Sequence, residues 1–404
     1  MRAYVEDRWW KAVYEDGKRK RVKTERYGKG ERYRARWTDM SGKWCSKSYD
    51  KKGDADAKID EVKAELKAGT YIDPDAGKTD TAAFAKEWLK GLGGDIATKE
   101  KVRQILGKHF IPQFEGRPLE AVLTSTIRTW LGELPLEEST KAVLFVYVNS
   151  MFEAAVDDRL IRTNPCQARS LQKPRAPQRQ VTPWNRDQVD SVHDNLLPRY
   201  RAMVLVGAGC GHRIGEVFGL AVDDILWDDE EIEIRRQVKF AGGKRLFAPP
   251  KHNSVRKGPL PRFTAQALRE HMEQFPPVDV TLPWMEPGGE LVTVKLVFTT
   301  TKGFPIHRST FMTNPGGWKR GTSKTAFEPE QATGFHALRY FFAATYLENG
   351  GNPRGLADYL GHKDPGFTLR VYGHLMPNSR QRARKLLDDA WEAPRPKRAP
   401  ESDG

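Results

Sequence analysis

Cysteine is scarce in this chain: three among 404 residues, Cys45, Cys166 and Cys210, scattered rather than clustered. That number is too small for a disulfide framework or a zinc site, and a reducing cytoplasm is the expected compartment. No apolar run approaches the length of a membrane span, and the first residues lack the apolar stretch of a secretory leader, so no membrane association is expected. There is no internal repeat, no P-loop and no carboxylate cluster at metal-ligand spacing. The glycines Gly207, Gly209 and Gly211 invite a dinucleotide-binding reading, but position 212 is His where a third glycine would fall, and no acidic ribose partner is evident.

What the chain has in excess is positive charge. With 67 Lys+Arg against 53 Asp+Glu the net charge is +14, and the pI is about 9.5. Such a balance attracts polyanions and speeds encounter with them. The excess is uneven, because residues 1–52 hold 17 Lys/Arg and 8 Asp/Glu, a net +9 in about an eighth of the chain. A separate basic module at the N-terminus is the implication. A hydrophobic fraction of 38% and a mean hydropathy of −0.66 predict a soluble protein, and the length exceeds one usual hydrophobic core, so two or three domains are expected.

Local patterns predict an α+β, multidomain chain. Trp9 to Tyr14, Arg32 to Thr38 and Lys43 to Tyr49 are aromatic-rich, roughly alternating runs separated by the turn signals Glu15-Asp-Gly17, Tyr27-Gly-Lys-Gly30 and Asp39-Met-Ser-Gly42. They predict a small three-stranded β-sheet, followed by a helix over Asp54–Leu66 and a linker around Asp73-Pro74-Asp75 and Gly77. A basic sheet packed on one helix could enter a DNA groove; an inert basic surface or an RNA-binding patch are the alternatives. Residues 79–170 carry apolar positions at helical spacing in four stretches and predict a helical domain. Residues 171–182, with two prolines and three basic residues, read as a linker running along a phosphate backbone. From 183 to 390 a mostly α domain with a small β-sheet is expected: helices over Asp187–Leu197, Pro198–Gly207, Thr264–Gln274 and Phe335–Glu348, and strands over Glu231–Val238, Lys244–Pro249 and Val255–Pro261. Residues 276–334, rich in Pro, Gly and Thr, give no assignment. After Asn378 a short basic helix and then a disordered Pro/Arg tail, 391–404, are expected.

The chemistry-bearing residues crowd into the last part of the chain. His336 and Arg339, three apart in an apolar helical stretch, share a face and can reach one phosphate together. Arg213 follows the Gly207/Gly209/Gly211 bend and should open a helix, where backbone donors would stand beside its guanidinium. Glu216, one turn on, suits holding Arg213 or another basic group rather than touching phosphate, which it would repel. Lys251, in an exposed turn of Pro250-Lys-His-Asn-Ser-Val-Arg, could protonate a departing sugar oxygen. His362 and Tyr372 complete the set: a donor or proton carrier, and a phenol able to act as nucleophile. Singly each has a plainer reading, as a helix histidine, a solvated arginine, a surface carboxylate or a core aromatic. Their ordered co-occurrence carries the weight.

In that order the motifs Gly211-His-Arg213-Ile-Gly-Glu216, Lys251-His-Asn-Ser254-Val-Arg256, His336-Ala-Leu-Arg339, Leu360-Gly-His362 and Val371-Tyr372-Gly-His-Leu resemble those of the tyrosine recombinases, the phage-integrase family. One departure is Tyr340, where many members have His. The resemblance implies an arm-type DNA-binding domain over 1–72, a core-binding domain over 79–170 and a catalytic domain over 183–390. It also implies site-specific recombination of an integrase kind. Tyr372 would attack the scissile phosphate to give a 3′-phosphotyrosyl enzyme, Arg213, Arg339, His336 and His362 would stabilise the developing charge, and Lys251 would protonate the leaving 5′-oxygen, with no metal, no cofactor and no ATP. The implied partners are double-stranded core and arm attachment sites, three further copies in a homotetramer, and a host DNA-bending protein and an excisionase, all in a bacterial cytoplasm. A non-catalytic DNA-binding regulator on the same fold and a type IB topoisomerase-like relaxing enzyme are the competing expectations.

Overall fold

Alternation along one short strand organises the N-terminal region. In Tyr33–Thr38 the side chains of Ala35 and Trp37 face inward and are buried, while Arg34 and Arg36 face the other way. This strand, β4, is the centre of a three-stranded antiparallel sheet with β1 (Ala3–Asp7) and β5 (Trp44–Tyr49), and helix α1 (Lys52–Ala68) covers its inner face with Ala55, Ile59 and Val62. The Trp37 indole N–H donates to the Tyr71 hydroxyl at 2.7 Å, so the one polar atom of that side chain is satisfied inside the core. The opposite face of the sheet stays open, with the Arg36 guanidinium between the rings of Tyr4 and Trp44.

The sheet corrects one sequence expectation. Trp9 to Tyr14 is not its first strand: Ala3–Asp7 is, and Trp10–Glu15 (β2) pairs instead with Lys18–Lys23 (β3) in a separate two-stranded ribbon. The Lys-Arg-Lys-Arg-Val-Lys of β3 gives no alternation to read, because no face of the ribbon is buried.

A computed structural model describes residues 2–15, 18–39, 42–73, 75–176, 182–329 and 331–375, with short pieces between 384 and 392. The basic helix expected after Asn378 and the tail 391–404 lie almost wholly outside the described residues, as do 177–181 of the expected linker and the centres of two N-terminal turns. The chain divides into two compact units, Met1–Pro177 and Gln178–Gly404. The first holds a second core beside that of the sheet, formed by α2 (Thr81–Gly91), α3 (Ile96–His109), α4 (Ile111–Phe114), α5 (Thr124–Glu133) and α6 (Glu138–Asp157). Phe110, Phe114, Trp130 and Phe152 meet at its centre, and Asp80 and Asp95 cap the starts of α2 and α3.

The second unit begins with α7 (Arg186–Asn195), α8 (Pro198–Cys210) and α9 (Ile214–Phe218), continues through β6 (Ile225–Leu226), β7 (Glu231–Ile234), β8 (Gln237–Ala241), β9 (Lys244–Ala248) and β10 (Arg256–Pro259), and reaches α10 (Arg262–Gln274). Then come β11 (Val278–Pro283), β12 (Leu291–Leu296), α11 (Arg308–Thr313), α12 (Trp318–Thr322), α13 (His336–Glu348), α14 (Pro353–Leu360) and α15 (Pro365–Tyr372). The expected strand Glu231–Val238 is two strands broken at Arg235-Arg236, because both guanidiniums turn onto the buried Asp224 carboxylate. Strand β10 is shorter than the expected Val255–Pro261, and the unassigned 276–334 segment contains a hairpin of β11 with β12 and two short helices. The glycine spacing of α8 is a packing device. A Cβ on Gly207 would lie 2.8 Å from Leu338 of α13, and one on Gly209 would strike Thr264 of α10. Two helices therefore close on α8, and this approach sets α13 beside the chain that follows α8.

Candidate active site

Helix α8 ends at Gly211, whose φ of +66° reverses the chain, and a Cβ there would lie 2.6 Å from the Phe342 ring. The reversal delivers Arg213 to the start of the short α9. Glu216 lies three residues on and accepts from the Arg213 backbone N–H at 2.9 Å and from its Nη1 at 2.8 Å. The same carboxylate accepts from Arg256 of β10, with Nη2 to Oε2 at 2.8 Å and Nη1 to Oε1 at 3.2 Å. Burial alone would raise the Glu216 carboxyl; Arg256 and then Arg213 outweigh it and hold it at about 2. Glu216 is thus a buried anion shared by two arginines.

A second junction joins this group to the C-terminal helices. The Leu360 carbonyl, at the end of α14, accepts from Arg213 Nη2 at 3.3 Å and from Arg339 Nη2, and the preceding Tyr359 carbonyl accepts from Arg256 Nε at 2.8 Å. Arg339 Nη1 reaches back to the Gly211 carbonyl at 2.8 Å. Three guanidiniums therefore meet the carbonyl end of one helix, where the backbone leaves acceptors and partial negative charge. Gly361 follows with φ +65°, and a Cβ there would collide with Ser254 and crowd Arg256, so the Leu-Gly-His turn can lie against that segment only with glycine.

That turn sets His362, whose Nε2 is 3.4 Å from Arg339 Nη2 and whose Nδ1 is 2.7 Å from Thr368 Oγ1. Burial, then the charges of Arg339 and Arg213, hold His362 at about 4. His336 stands at the start of α13 with its surface open. Crowding by neighbouring atoms and the charges of Arg339 and Arg213 press its imidazole below the usual range, and access to water softens that shift. Tyr372 ends α15 with its ring 6.4 Å from that of His362 and nearly parallel to it. Burial raises the phenol, Arg339 opposes it, and the result is about 12. Arg339 and Tyr372 are 1% and 2% exposed.

The fold thus gathers Arg213, Glu216, His336, Arg339, His362 and Tyr372 into one cluster. Lys251 is placed differently: it begins an exposed turn, Lys251–Asn253, and among the described residues contributes no hydrogen bond or ion pair to the cluster. Sequence reasoning left three neighbours without a role. Arg256 is the second partner of Glu216, Thr368 fixes the His362 ring, and Tyr340 lies between the rings of His336 and Tyr372 at 5.1 and 5.5 Å. Only Arg256 carried a signal, since an arginine two residues from Ser254 stands inside a motif already read. The described residues contain one group of potential metal ligands, Asp39, Cys45 and Asp73, but Asp73 is ion-paired to Lys43 at 2.9 Å, and the group belongs to the N-terminal unit.

Residues 185–379, a little under half of the chain, match the family model described as the phage integrase family. The integrase of Mycobacterium phage D29 is 24% identical over 361 residues, spanning 86% of this chain and 91% of the relative. A tyrosine recombinase XerC-like protein of Caldanaerobacter subterraneus is 25% identical over 265 residues, spanning 61% of this chain and 64% of that protein. Among solved structures, the Tn1549 transposon integrase in complex with a circular intermediate DNA shares the fold at a TM-score of 0.60 and 19% identity, covering 76% of this chain and 98% of the other. A lambda integrase dimer bound to a core site superposes with a TM-score of 0.54 and 16% identity, covering 84% and 91%. No described helix is long and apolar enough to cross a membrane.

The histidines make a pH dependence testable. His212, fully buried next to Arg213, and His271, in α10, are held at about 4 with burial as the first cause, and His362 at about the same value. These folded-state values lie below the ~6.5 of an unfolded histidine, so the stability they contribute is complete above that pH and is lost as pH falls through about 4. The denaturant midpoint of the C-terminal unit is expected to drop between pH 7 and pH ~4.5 by the equivalent of up to about 2 kcal/mol for each of the three histidines. An unchanged midpoint across that window would mean the imidazoles are charged, or solvated, in the folded protein.

Proposed function

We propose that the chain is a site-specific DNA recombinase, an integrase of a phage or integrative element, that cuts and rejoins strands through a 3′-phosphotyrosyl intermediate. The observation that supports this most is the convergence of Arg213 and Arg339 on one carbonyl, with His362 and Tyr372 in the same cluster. Two planar forks held by backbone acceptors present their remaining donors to one anion, and a scissile phosphate supplies it. Tyr372 Oη attacks the phosphorus, the P–O5′ bond breaks, and the charge that grows on the non-bridging oxygens falls to the arginines, with His336 and His362 as further donors. The phenol, raised to about 12, must lose its proton as it attacks, and the imidazoles, neutral at pH 7, are available to take it. Lys251, on its exposed turn, protonates the 5′-oxygen when DNA folds that turn inward. The phosphotyrosyl bond conserves the energy of the phosphodiester, so a partner strand's 5′-hydroxyl reverses the attack without ATP.

The N-terminal sheet, with its open face of Tyr4, Arg36 and Trp44, would take arm sites, the helical region 79–170 and the C-terminal unit would take the core site, and a DNA-bound tetramer would bring two duplexes together. A host bending protein and an excisionase fit that scheme as accessory partners, in a bacterial cytoplasm. A non-catalytic regulator would have no use for a tyrosine set among buried arginines, and a relaxing topoisomerase would have none for a separate basic module.

Tyr372→Phe keeps the ring and removes the nucleophilic oxygen. On a nicked suicide substrate the wild-type chain is expected to form a covalent complex visible on a denaturing gel, and the Phe variant to bind DNA normally without forming it. A covalent band from the variant would assign the nucleophile elsewhere. For Lys251, a bridging 5′-sulfur separates the roles, since a thiolate leaves without protonation. Lys251→Ala is expected to cleave the ordinary substrate on the order of a hundredfold more slowly and the sulfur substrate nearly as fast as wild type. Equal impairment on both would move the general acid to another residue.

A further inference from the structure

The ribbon of β2 and β3 meets the Tyr27 ring at its base, through Trp10 and Lys23, and buries no core. None of its described residues is buried, and every residue of Lys18–Lys23 is exposed. An isolated two-stranded hairpin is marginal in water, so such an element gains its stability from what it meets. Its register sets Arg19 opposite Tyr14 and Arg21 opposite Ala12 on one face, and Lys20 opposite Val13 and Lys18 opposite Glu15 on the other. Both faces are therefore cationic. At its base Arg21 is tied to Asp7 at 2.8 Å and lies over the Trp10 ring at 5.4 Å, which joins the ribbon to the end of β1. The distal residues, Tyr14 and Arg19, project from that anchor, and Tyr14 is 73% exposed.

We propose that this ribbon is a duplex-DNA contact of its own, additional to the open face of the three-stranded sheet, and that it enters the major groove so that cations on its two faces meet phosphates of both walls. A surface basic on one side suits a single row of phosphates; a thin element basic on both sides suits a cleft walled by phosphate on both sides. The B-form major groove, about 12 Å wide, admits a two-stranded ribbon, whereas the A-form major groove is too narrow for side chains to read. The ribbon sets affinity and orientation rather than sequence, because its charges address phosphate. The choice of DNA as the polyanion rests on the recombinase reading above.

The test uses the full-length chain and the salt dependence of binding to a labelled random-sequence DNA duplex of three helical turns, with a duplex RNA of the same length as the second probe. The double variant Lys18→Ala/Arg19→Ala removes one cation from each face, and Lys18→Arg/Arg19→Lys keeps both. Each lost phosphate contact lowers the slope of log K against log salt by about 0.9, so the alanine variant is expected to lose between about 1 and 2 on DNA and nothing on RNA, while the charge-keeping variant matches wild type. A DNA slope equal to wild type in the alanine variant, an equal loss on RNA, or the same loss in the charge-keeping variant would each overturn the proposal. Covalent complex formation by Tyr372 on a suicide substrate is read alongside. An adduct with no slope change sinks the ribbon alone, and a slope change with no adduct from wild type leaves the ribbon standing and sinks the recombinase reading.

Discussion

Everything at the centre of the C-terminal unit depends on arginines held by oxygen atoms that cannot move away. Glu216 is buried between Arg213 and Arg256, and the last two carbonyls of α14 accept from Arg213, Arg256 and Arg339. A buried carboxylate with two bidentate-capable partners repays much of its desolvation through close charge-assisted hydrogen bonds. Removing one member of such a set leaves a buried charge unpaired and costs about 3–5 kcal/mol, which ties the fold to residues that the proposed chemistry also uses.

The cluster is left with a surplus of positive charge. Three guanidiniums stand around one carboxylate that only two of them bind, and the histidines around them stay neutral because burial and that positive field disfavour another cation. An anion placed among them relieves the surplus, and the transition state of phosphoryl transfer, with charge spread over its equatorial oxygens, relieves it most. The geometry is prepared before DNA arrives, since backbone carbonyls and glycine turns set the arginines. The proposed nucleophile, Tyr372, is left covered, as is Arg339, and its ring belongs to the same core cluster as Phe342, Leu347, Leu356 and Leu360.

Much of this was legible in the sequence because the chemistry repeats residue types at short spacing. His336 and Arg339 share a helical turn, Arg213 and Glu216 likewise, and Leu-Gly-His names its own reversal. Arg256 and Thr368 were not legible as partners, because their roles exist only where distant segments meet: β10 against α14, and α15 folded back on the Leu-Gly-His turn. The N-terminal sheet was misread at one strand for a related reason. Strand β1 is five residues, two of them acidic, and yields little pattern, while the aromatic run beside it belongs to a ribbon with no inner face. Of the three glycines read as a bend before Arg213, only Gly211 reverses the chain; Gly207 and Gly209 lie inside α8, where the close approach of α13 and α10 accounts for them.

The central claim is that Arg213 and Arg339 act on the charge of the scissile phosphate rather than only on the fold. Replacing one non-bridging oxygen of that phosphate by a methyl group removes the charge and leaves the reacting atoms in place. Single-turnover cleavage by Arg339→Ala should be at least about a hundredfold slower than wild type on the ordinary phosphodiester, the loss of about 3 kcal/mol or more expected for such a donor. On the methylphosphonate that deficit should shrink to within a few fold. An equal deficit on both substrates would contradict the account, because the arginine would then be holding the structure together without answering to the charge it was assigned.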